Sequence, residues 1–307
     1  MEHYSVLLNE AISLLDVKKD GTYVDLTLGR GGHSSKILEK LENGHLYSFD
    51  LDIEAINESR PRLEKISKNF TLIHANFASY LEELQARGVE EVDGIIIDLG
   101  VSSPQFDDAE RGFSYRFDGP LDMRMNKDAS ISAKEIVNTY SLEELTKIFR
   151  EYGEDKDSYR VAKKIVIERE KKEIETTFEL VEIIKKAKPY SSLEKKGHPA
   201  KQIFQALRIE TNHELDNLKK VLSTFDKILK KSGRIVIISF HSLEDRLVKE
   251  RFKELSVTIG SRHELVPSKE IEAPYLALTK KAIRPSEDEL IDNHRSNSAL
   301  LRAIMKK

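Results

Sequence analysis

Short apolar runs alternate with longer helical patterns along the first hundred residues of the chain. The apolar runs are rich in β-branched residues and end in polar turns, which predicts buried strands at 22–26, 45–50, 70–75 and 93–100, with a fifth at 233–240. Apolar positions at helical spacing separate the first four, at 34–41, 53–66 and 79–87. This strand–helix–strand rhythm predicts an α/β fold with a Rossmann-like, doubly wound parallel sheet.

The middle of the chain has a different pattern. No strand-like run occurs between about residues 107 and 215, whereas helical periodicity is clear at 141–152, 159–169, 177–188 and 199–210. We therefore predict an inserted all-helical domain at 107–215, flanked by the α/β domain at 1–106 and 216–307. After a helix at 243–253, the extended runs 275–279 and 298–304 are expected to pair antiparallel at the sheet edge. Capping-box spacing is present at Ser79, Ser141 and Thr176.

Length and composition narrow the class of protein. At 307 residues the chain is about twice the roughly 150 of a typical domain, which fits a domain carrying an insertion. Without cysteine, it has no disulfides, thiolate metal sites or thiol nucleophiles. No apolar run approaches the roughly 18 residues of a membrane span, and the start of the chain lacks a basic leader, so we expect a cytoplasmic protein. With a net charge of −3, any nucleic-acid surface must be local.

A glycine-rich turn joins the first predicted strand to the next helix. It contains Gly29, Gly31, Gly32 and His33, in a position where backbone amides and a helix N-terminus can approach a ligand. The next strand ends at Asp50, 18 residues beyond Gly32, where doubly wound sheets place an acid that binds ribose hydroxyls. The pattern favours a nucleotide-type cofactor. A plain tight turn and a helix-capping Asp50 are the alternative interpretation.

Further features favour S-adenosylmethionine over a dinucleotide. The G-x-G-G-H spacing is not the G-x-G-x-x-G that binds a pyrophosphate. Asp25 and Asp98 lie near the same predicted edge, where carboxylates would repel a pyrophosphate but attract a ligand with ammonium and sulfonium groups. Phe77, after the third strand, could cover an adenine ring or could be an ordinary core residue.

The fourth strand end supplies the catalytic candidates, Asp98, Ser103 and Pro104. With Gln105, the segment partly resembles the S/D/N-P-P-aromatic loops of amino-group methyltransferases, Gln105 replacing the second proline. Methyl transfer from a sulfonium needs mainly alignment, and an exocyclic amine needs hydrogen-bond acceptors around its N–H groups. Pyrimidine C5 methylation commonly uses a cysteine, which the chain lacks, so an amino or hydroxyl acceptor is favoured.

Five motifs carry a family resemblance that runs nearly end to end. They are GRGGHS, DLDIEAI, IIIDLGVSSPQFDDAERGFSYRFDGPLDMRM, HPAKQIFQALRIETNHEL and IISFHSLEDR. With them the chain resembles the bacterial RsmH (MraW) family, which implies a class I methyltransferase fold. The resemblance further implies methyl transfer from S-adenosylmethionine to N4 of a cytidine in the decoding region of 16S rRNA, within the small ribosomal subunit. The implied cofactor contacts are Gly31, Gly32, His33, Asp50, Phe77, Asp98 and Gln105.

The sequence departs from the family near its end. The usual N-P-R-A-R-S-A is replaced at 293–299 by a segment in which Arg295 is the one remaining arginine of that motif. If this arm contacts RNA phosphates, binding there is expected to be weaker or supported from elsewhere. Lys201 and Glu210 are further candidate departures.

Local charge suggests where RNA binds. Residues 183–208 hold seven basic residues against one acid, whereas 107–155 hold seven against twelve. The basic stretch could contact phosphates or be an ordinary solvated surface, and we expect His198, Arg208, His241 and Arg246 nearer the acceptor base. An extruded cytosine could stack on Phe113, Tyr115 or Phe117, which could equally anchor a domain interface.

The sequence also bears on metal binding, oligomeric state and alternative functions. The nine histidines show no H-x-x-x-H or H-x-x-E-H spacing, so no metal is predicted. The oligomeric state is either monomer or dimer. A small-molecule amine methyltransferase, and an RNA assembly factor that binds S-adenosylmethionine without turnover, are the alternative functions, and activity on purified ribosomal subunits would separate them.

Overall fold

The computed structural model describes residues 5–101, 103–194, 197–257 and 272–307, without the side chains of Ser103, Pro104, Asp292, His294 and Arg295. The chain divides into two compact units. The first unit combines Met1–Gly100 with Asp216–Lys307, and the second unit is Val101–Leu215.

A seven-stranded sheet forms the centre of the first unit. Its strands are β1 (Thr22–Asp25), β2 (His45–Asp50), β3 (Phe70–His74), β4 (Val92–Asp98), β5 (Leu229–Ser239), β6 (Tyr275–Ala277) and β7 (Leu300–Lys306). In the order β3-β2-β1-β4-β5-β7-β6, the strands from β3 to β5 are parallel, and β7 is antiparallel to both β5 and β6. The predicted doubly wound α/β sheet and its antiparallel edge are confirmed.

The helices are numbered along the chain. They are α1 (Leu8–Leu15), α2 (Gly32–Leu38), α3 (Ile53–Glu64), α4 (Tyr80–Gln85), α5 (Ser103–Asp107), α6 (Ala133–Thr139), α7 (Leu142–Glu151), α8 (Ser158–Arg169), α9 (Thr177–Ala187), α10 (Tyr190–Leu193), α11 (Lys201–Asn212), α12 (Glu214–Thr224), α13 (Ser242–Ser256) and α14 (Glu287–Asp292).

Both faces of the sheet are buried, which explains the continuous apolar runs of its strands. In β4, Ile95 and Ile97 belong to the core that α4, α12 and α13 complete on one face. Ile96, between them, belongs to the core that α1, α2 and α3 complete on the other face. All three isoleucines are 0% exposed. The alternation follows from the two-residue period of a strand and leaves the carboxyl ends of the strands as the place for polar side chains.

The second unit is helical and has its own core, in which Phe149, Ile165 and Leu207 are fully buried. It begins at Val101 rather than at the predicted residue 107, because Val101 and Phe106 pack against this core. The roles of the two units as methyltransferase and substrate-recognition domains stay a prediction.

Helix capping follows the sequence at two of three predicted positions. Ser141 and Thr176 form capping boxes with glutamates three residues later. The prediction for Ser79 is wrong, because its hydroxyl donates a hydrogen bond to the Asn76 carbonyl at 2.8 Å and caps no helix. His241 forms an additional capping box with Glu244 at the start of α13, which the sequence analysis missed.

Across the described ranges, no helix combines the length and the apolar character that crossing a bilayer would require.

Candidate active site

The candidate site lies at the carboxyl ends of β1, β2 and β4. The last residues of these strands are Asp25, Asp50 and Asp98. The strand order reverses at the β1–β4 pair, and in doubly wound sheets ligands bind in the crevice at this switch point. The fold therefore gathers the predicted acids of the first unit at one edge.

The glycine loop after β1 has backbone conformations that glycine adopts easily and other residues rarely adopt. Gly29 and Gly31 have φ values of 50° and 73°, in the left-handed region, and Gly31 is the N-cap of α2. The hydroxyl of Ser59 in α3 donates to the Gly29 carbonyl at 2.8 Å. The loop is thus fixed to the neighbouring helix.

Asp50, the last residue of β2, is hydrogen-bonded to this loop. Its two carboxylate oxygens accept the backbone N–H groups of Gly29 and Asp52, both at 2.8 Å. Burial raises the pKa of Asp50 to about 6, against the opposing effect of these hydrogen bonds. Asp52, and not Asp50, caps α3, so the capping interpretation of Asp50 is wrong.

Asp25 supports the loop from beneath. It is 1% exposed, and it accepts hydrogen bonds from the Ser34 hydroxyl at 2.6 Å and the Thr27 backbone at 3.1 Å. Burial raises its pKa to about 6. Because Asp25 is almost fully buried, we expect it to act on a ligand through the loop that it holds and through its charge, not through a direct contact.

His33 and Asp98 face each other across the site. The His33 ring is buried, and its Nε2 lies 3.2 Å from the Val6 carbonyl. A carbonyl can only accept, so Nε2 carries the proton and Nδ1 has a free lone pair. Burial lowers the pKa of His33 to about 4, and the 3.8 Å approach of Nδ1 to Asp98 Oδ2 is therefore not an ion pair at neutral pH.

Asp98 carries the group best suited to a ligand. Its backbone N–H donates to the Thr27 hydroxyl at 2.7 Å, which fixes the end of β4. Its Oδ1 is buried and has no hydrogen-bond partner among the described residues. Burial, with the nearby carboxylates of Asp25, Glu244 and Glu289, raises the pKa of Asp98 well above its ordinary value. A buried oxygen of this kind is costly unless a ligand satisfies it.

The other predicted cofactor residues divide between the units. Phe77 is partly buried and packs against the core on its side of the sheet, as its core interpretation predicts, but the residue is not fully enclosed. Gln105 is 7% exposed and lies in α5 of the second unit. Ser103 and Pro104 begin that helix, and their side chains lie outside the described part of the structure.

The predicted substrate residues of the first unit are His241 and Arg246. The His241 Nδ1 accepts the Glu244 backbone N–H at 3.4 Å, and Nε2 lies 3.1 Å from the Glu244 carboxylate, which gives this histidine a structural role as a helix cap. Arg246 is exposed on α13.

In the second unit, two of the basic side chains that were predicted to bind RNA form ion pairs with carboxylates of the same unit. Arg208 forms a two-bond pair with Glu214, with both distances 2.8 Å. Lys188 pairs with Asp155 at 2.5 Å, and both side chains are at most 5% exposed, so Lys188 is not available for phosphate contacts. Lys195 and Lys196 lie outside the described residues.

The surroundings of His198 combine an aromatic ring with basic side chains. Its ring stacks on Tyr115 with centroids 4.4 Å apart and planes at 10°. Burial lowers its pKa, and the charges of Lys185 and Arg116 act in the same direction, which places two cations near the stacked rings. Phe117 is 47% exposed, whereas Phe113 is a core residue at 3%.

The structure describes the surroundings of the three departures from the family pattern to different extents. Glu210 accepts a hydrogen bond from the Tyr140 hydroxyl at 2.8 Å, and Lys201 is exposed at the start of α11. The backbone at His294–Ser298 forms a short 3₁₀ helix, and the Arg295 side chain lies outside the described part.

The site residues fit S-adenosylmethionine. An unpartnered buried oxygen of Asp98 suits a cationic ligand, the Asp50 carboxylate suits ribose hydroxyls, and the loop fixes both. The supporting residues Thr27, Ser34 and Ser59 were not predicted from the sequence. Hydroxyl side chains in and after the glycine loop were the available signal for the first two.

The fold and this edge of the sheet are those of an α/β cofactor-binding protein. Comparison with known proteins adds the family, since the model of the MraW methylase family matches residues 1–307. The chain belongs to the MraW methylase family, as its motifs predicted. S-adenosylmethionine, the predicted cofactor, is the methyl donor of this family.

Two similar proteins share the name "Ribosomal RNA small subunit methyltransferase H". The one from Streptococcus mutans is 49% identical over 308 residues, covering 99% of this chain and 97% of the relative. The one from Spiroplasma kunkelii is 51% identical over 306 residues, covering 99% and 98%. The crystal structure of an rRNA methylase from Streptococcus thermophilus aligns over 100% of this chain and 99% of its own with a TM-score of 0.40 and 12% identity.

Proposed function

We propose that this protein transfers a methyl group from S-adenosylmethionine to the exocyclic N4 amine of a cytidine in the decoding region of 16S rRNA. The observation that carries the proposal is the full-length match to relatives named for small-subunit rRNA methylation, at 49% and 51% identity. The carboxylates at the end of the parallel strands support it. The substrate is the small ribosomal subunit, and the reaction takes place in the cytoplasm.

The first unit would hold the methyl donor. Asp50 would accept hydrogen bonds from the ribose hydroxyls, and Phe77 would cover one face of the adenine. Asp98 Oδ1 would face the positive charge of the donor, next to the neutral His33 ring. When bound, S-adenosylmethionine supplies an electrophilic methyl group on a sulfonium.

The acceptor amine requires a different set of groups. Its lone pair is delocalised into the ring, so oxygens that accept from its N–H groups make it a better nucleophile. We assign this task to Ser103, with Pro104 restricting its backbone, and keep Gln105 as a contact of the methyl donor. The amine must also lose a proton, and Asp98 is suited to take it up because its pKa is raised.

The second unit would contact RNA. The stacked Tyr115 and His198 rings, with Arg116 and Lys185 close enough to lower the pKa of His198, combine aromatic and cationic groups as single-stranded RNA sites do. Arg246, exposed on α13 of the first unit, is a second candidate contact.

The test is to incubate the protein with methyl-labelled S-adenosylmethionine and purified small ribosomal subunits, then digest the RNA to nucleosides. We expect the label in N4-methylcytidine at one position. Label on a pyrimidine carbon, on a ribose or on protein would contradict the proposal. Free cytidine and small amines serve as competing substrates, and Asp98→Ala, which removes the unpartnered carboxylate, is the inactive control.

A further inference from the structure

The first described residues of the chain lie directly on the glycine loop. A Cβ built on Gly32 would be 1.8 Å from the Ser5 hydroxyl oxygen and 3.0 Å from its Cβ, so Ser5 already fills the space beside this glycine. The next residue, Val6, accepts the hydrogen bond from His33 Nε2 at 3.2 Å. Two consecutive residues of this segment therefore contact two consecutive residues of the loop.

The following residue anchors the segment. Leu7 is fully buried and has a left-handed φ of 50°, which is unusual for a non-glycine residue and requires support from its surroundings. Its backbone N–H donates to Oε1 of Glu289 in α14 at 2.9 Å. The two residues are 282 positions apart in the sequence.

The carboxylate of Glu289 bonds to a distant residue, although its position in α14 is that of a capping-box glutamate. Ser286 is the N-cap of α14 and accepts the Glu289 backbone N–H at 3.2 Å, so Glu289 occupies the position from which a capping-box glutamate bonds back to its own cap. Its carboxylate accepts from Leu7 instead. The side chain therefore serves the N-terminal segment and not only its own helix.

We propose that Glu289 is a positioning residue for the methyl donor. By holding Leu7, it fixes the Val6 carbonyl, which in turn sets the tautomer and orientation of His33. By the same connection it keeps Ser5 against Gly32 at the start of α2. The inference rests on the proposed function, because it assigns the role of Glu289 at the donor site.

The experiment measures binding of S-adenosylmethionine by calorimetry to the wild-type chain and to Glu289→Ala, Glu289→Gln and Glu287→Ala. The alanine at 289 removes the acceptor from a buried N–H, and we expect the dissociation constant to rise about tenfold. Glutamine keeps an oxygen at the same place and should bind within about twofold of wild type. Glu287 is exposed in the first turn of the same helix and is the matched control.

Activity on small ribosomal subunits gives a second readout. For Glu289→Ala we expect a raised KM for the donor as the main effect, with a smaller change in kcat at saturating donor, because loss of the Glu289 charge also lowers the pKa of Asp98. Thermal unfolding of each variant in the presence and absence of donor shows whether the fold is retained.

The outcomes separate this inference from the proposed function. If the wild-type chain does not bind the donor, the proposed function fails. If the wild type binds and Glu289→Ala binds equally well, Glu289 has no positioning role. A loss in Glu287→Ala as large as in Glu289→Ala, or no rescue by glutamine, would also overturn the assignment.

Discussion

The three carboxylates at the ends of β1, β2 and β4 differ in how the protein compensates for their partial or complete removal from water. Asp25 and Asp50 each accept two or more hydrogen bonds, and their pKa values are both raised to about 6. Asp98 Oδ1 has no such partner among the described residues, and its pKa is raised well above the ordinary value. A cationic ligand would relieve the cost that burial imposes on each charged form.

Donor binding should therefore depend on pH. Protonation of Asp50 removes a negative charge and an acceptor, so affinity for S-adenosylmethionine should fall as pH drops below about 6. A group with a pKa of about 6 is about nine-tenths protonated at pH 5, and we expect binding at least about tenfold weaker there than at pH 7.5. Calorimetric titrations at both values measure this, and equal affinity across the range would contradict it.

The unliganded protein should show the opposite trend. The pKa values of Asp25 and Asp50 are raised in the folded state above 3.8, so their contribution to the free energy of unfolding is present below that pH and is lost as pH rises towards 6. The gain in melting temperature on adding donor should consequently be larger at pH 7.5 than at pH 5.

The close approach of Ser5 to Gly32 makes the stability of the glycine loop depend on both residues. Gly32 begins α2 and does not have a positive φ, so alanine fits its backbone but places a methyl group against Ser5. Gly32→Ala should cost about 1–3 kcal/mol of stability and weaken donor binding. Ser5→Gly leaves only backbone, 4.0 Å away, and should restore much of the loss in the double variant. Thermal unfolding measures this, and additive effects of the two substitutions would contradict it.

The buried Lys188–Asp155 pair joins the segment after α9 to the turn before α8. Asp155 also accepts the Asp157 backbone N–H at 2.8 Å, so its carboxylate is fixed in place. Removing one partner of such a pair leaves an uncompensated buried charge, which costs far more than losing an exposed pair.

Lys188→Ala should accordingly destabilise the second unit by about 3–5 kcal/mol. The double variant Lys188→Met, Asp155→Asn removes both charges and should recover part of this. Lys185→Ala is the matched control, since its pair with Glu182 is exposed and should be worth less than about 1 kcal/mol. Urea unfolding followed by circular dichroism measures the differences. A cost for Lys188→Ala no larger than that of the control would show that the pair contributes little.

The strands and helices that the sequence predicted are marked by the spacing of apolar residues within a short segment. Each parallel strand is a short apolar run because both of its faces are buried, and Asp50 and Asp98 follow such runs directly. α12 was missed although Leu218, Val221 and Leu222 have helical spacing, because the helix starts at the predicted domain boundary.

The supports of the site could not be predicted in the same way. The Val6 carbonyl that orients His33 is a backbone atom, and residue type carries no signal for it. Glu289 acts on a residue 282 positions away, and its sequence context predicts a local capping box instead. Contacts of this kind depend on the tertiary fold, which periodicity and motif spacing do not specify.

For the whole molecule, the important property is that each unit has a complete core. In the first unit, helices from both ends of the chain cover both faces of the sheet, and β5, β6 and β7 follow the second unit in sequence. The second unit buries its own apolar side chains among its helices. A domain that buries its own core can be expected to fold without its insertion.

Replacing residues 101–213 by a flexible glycine–serine linker should therefore leave a folded protein that retains α12 and binds S-adenosylmethionine within about tenfold of the full chain. It should not methylate small ribosomal subunits, since Ser103 and the Tyr115–His198 stack are removed. Calorimetry and the labelling assay measure the two properties separately.

Gln105→Ala in the full chain is the matched control, because it reports how much donor affinity the predicted Gln105 contact accounts for. If the shortened chain folds but its affinity falls far more than Gln105→Ala explains, then further residues of the second unit take part in donor binding, and the predicted division of roles between the units is wrong.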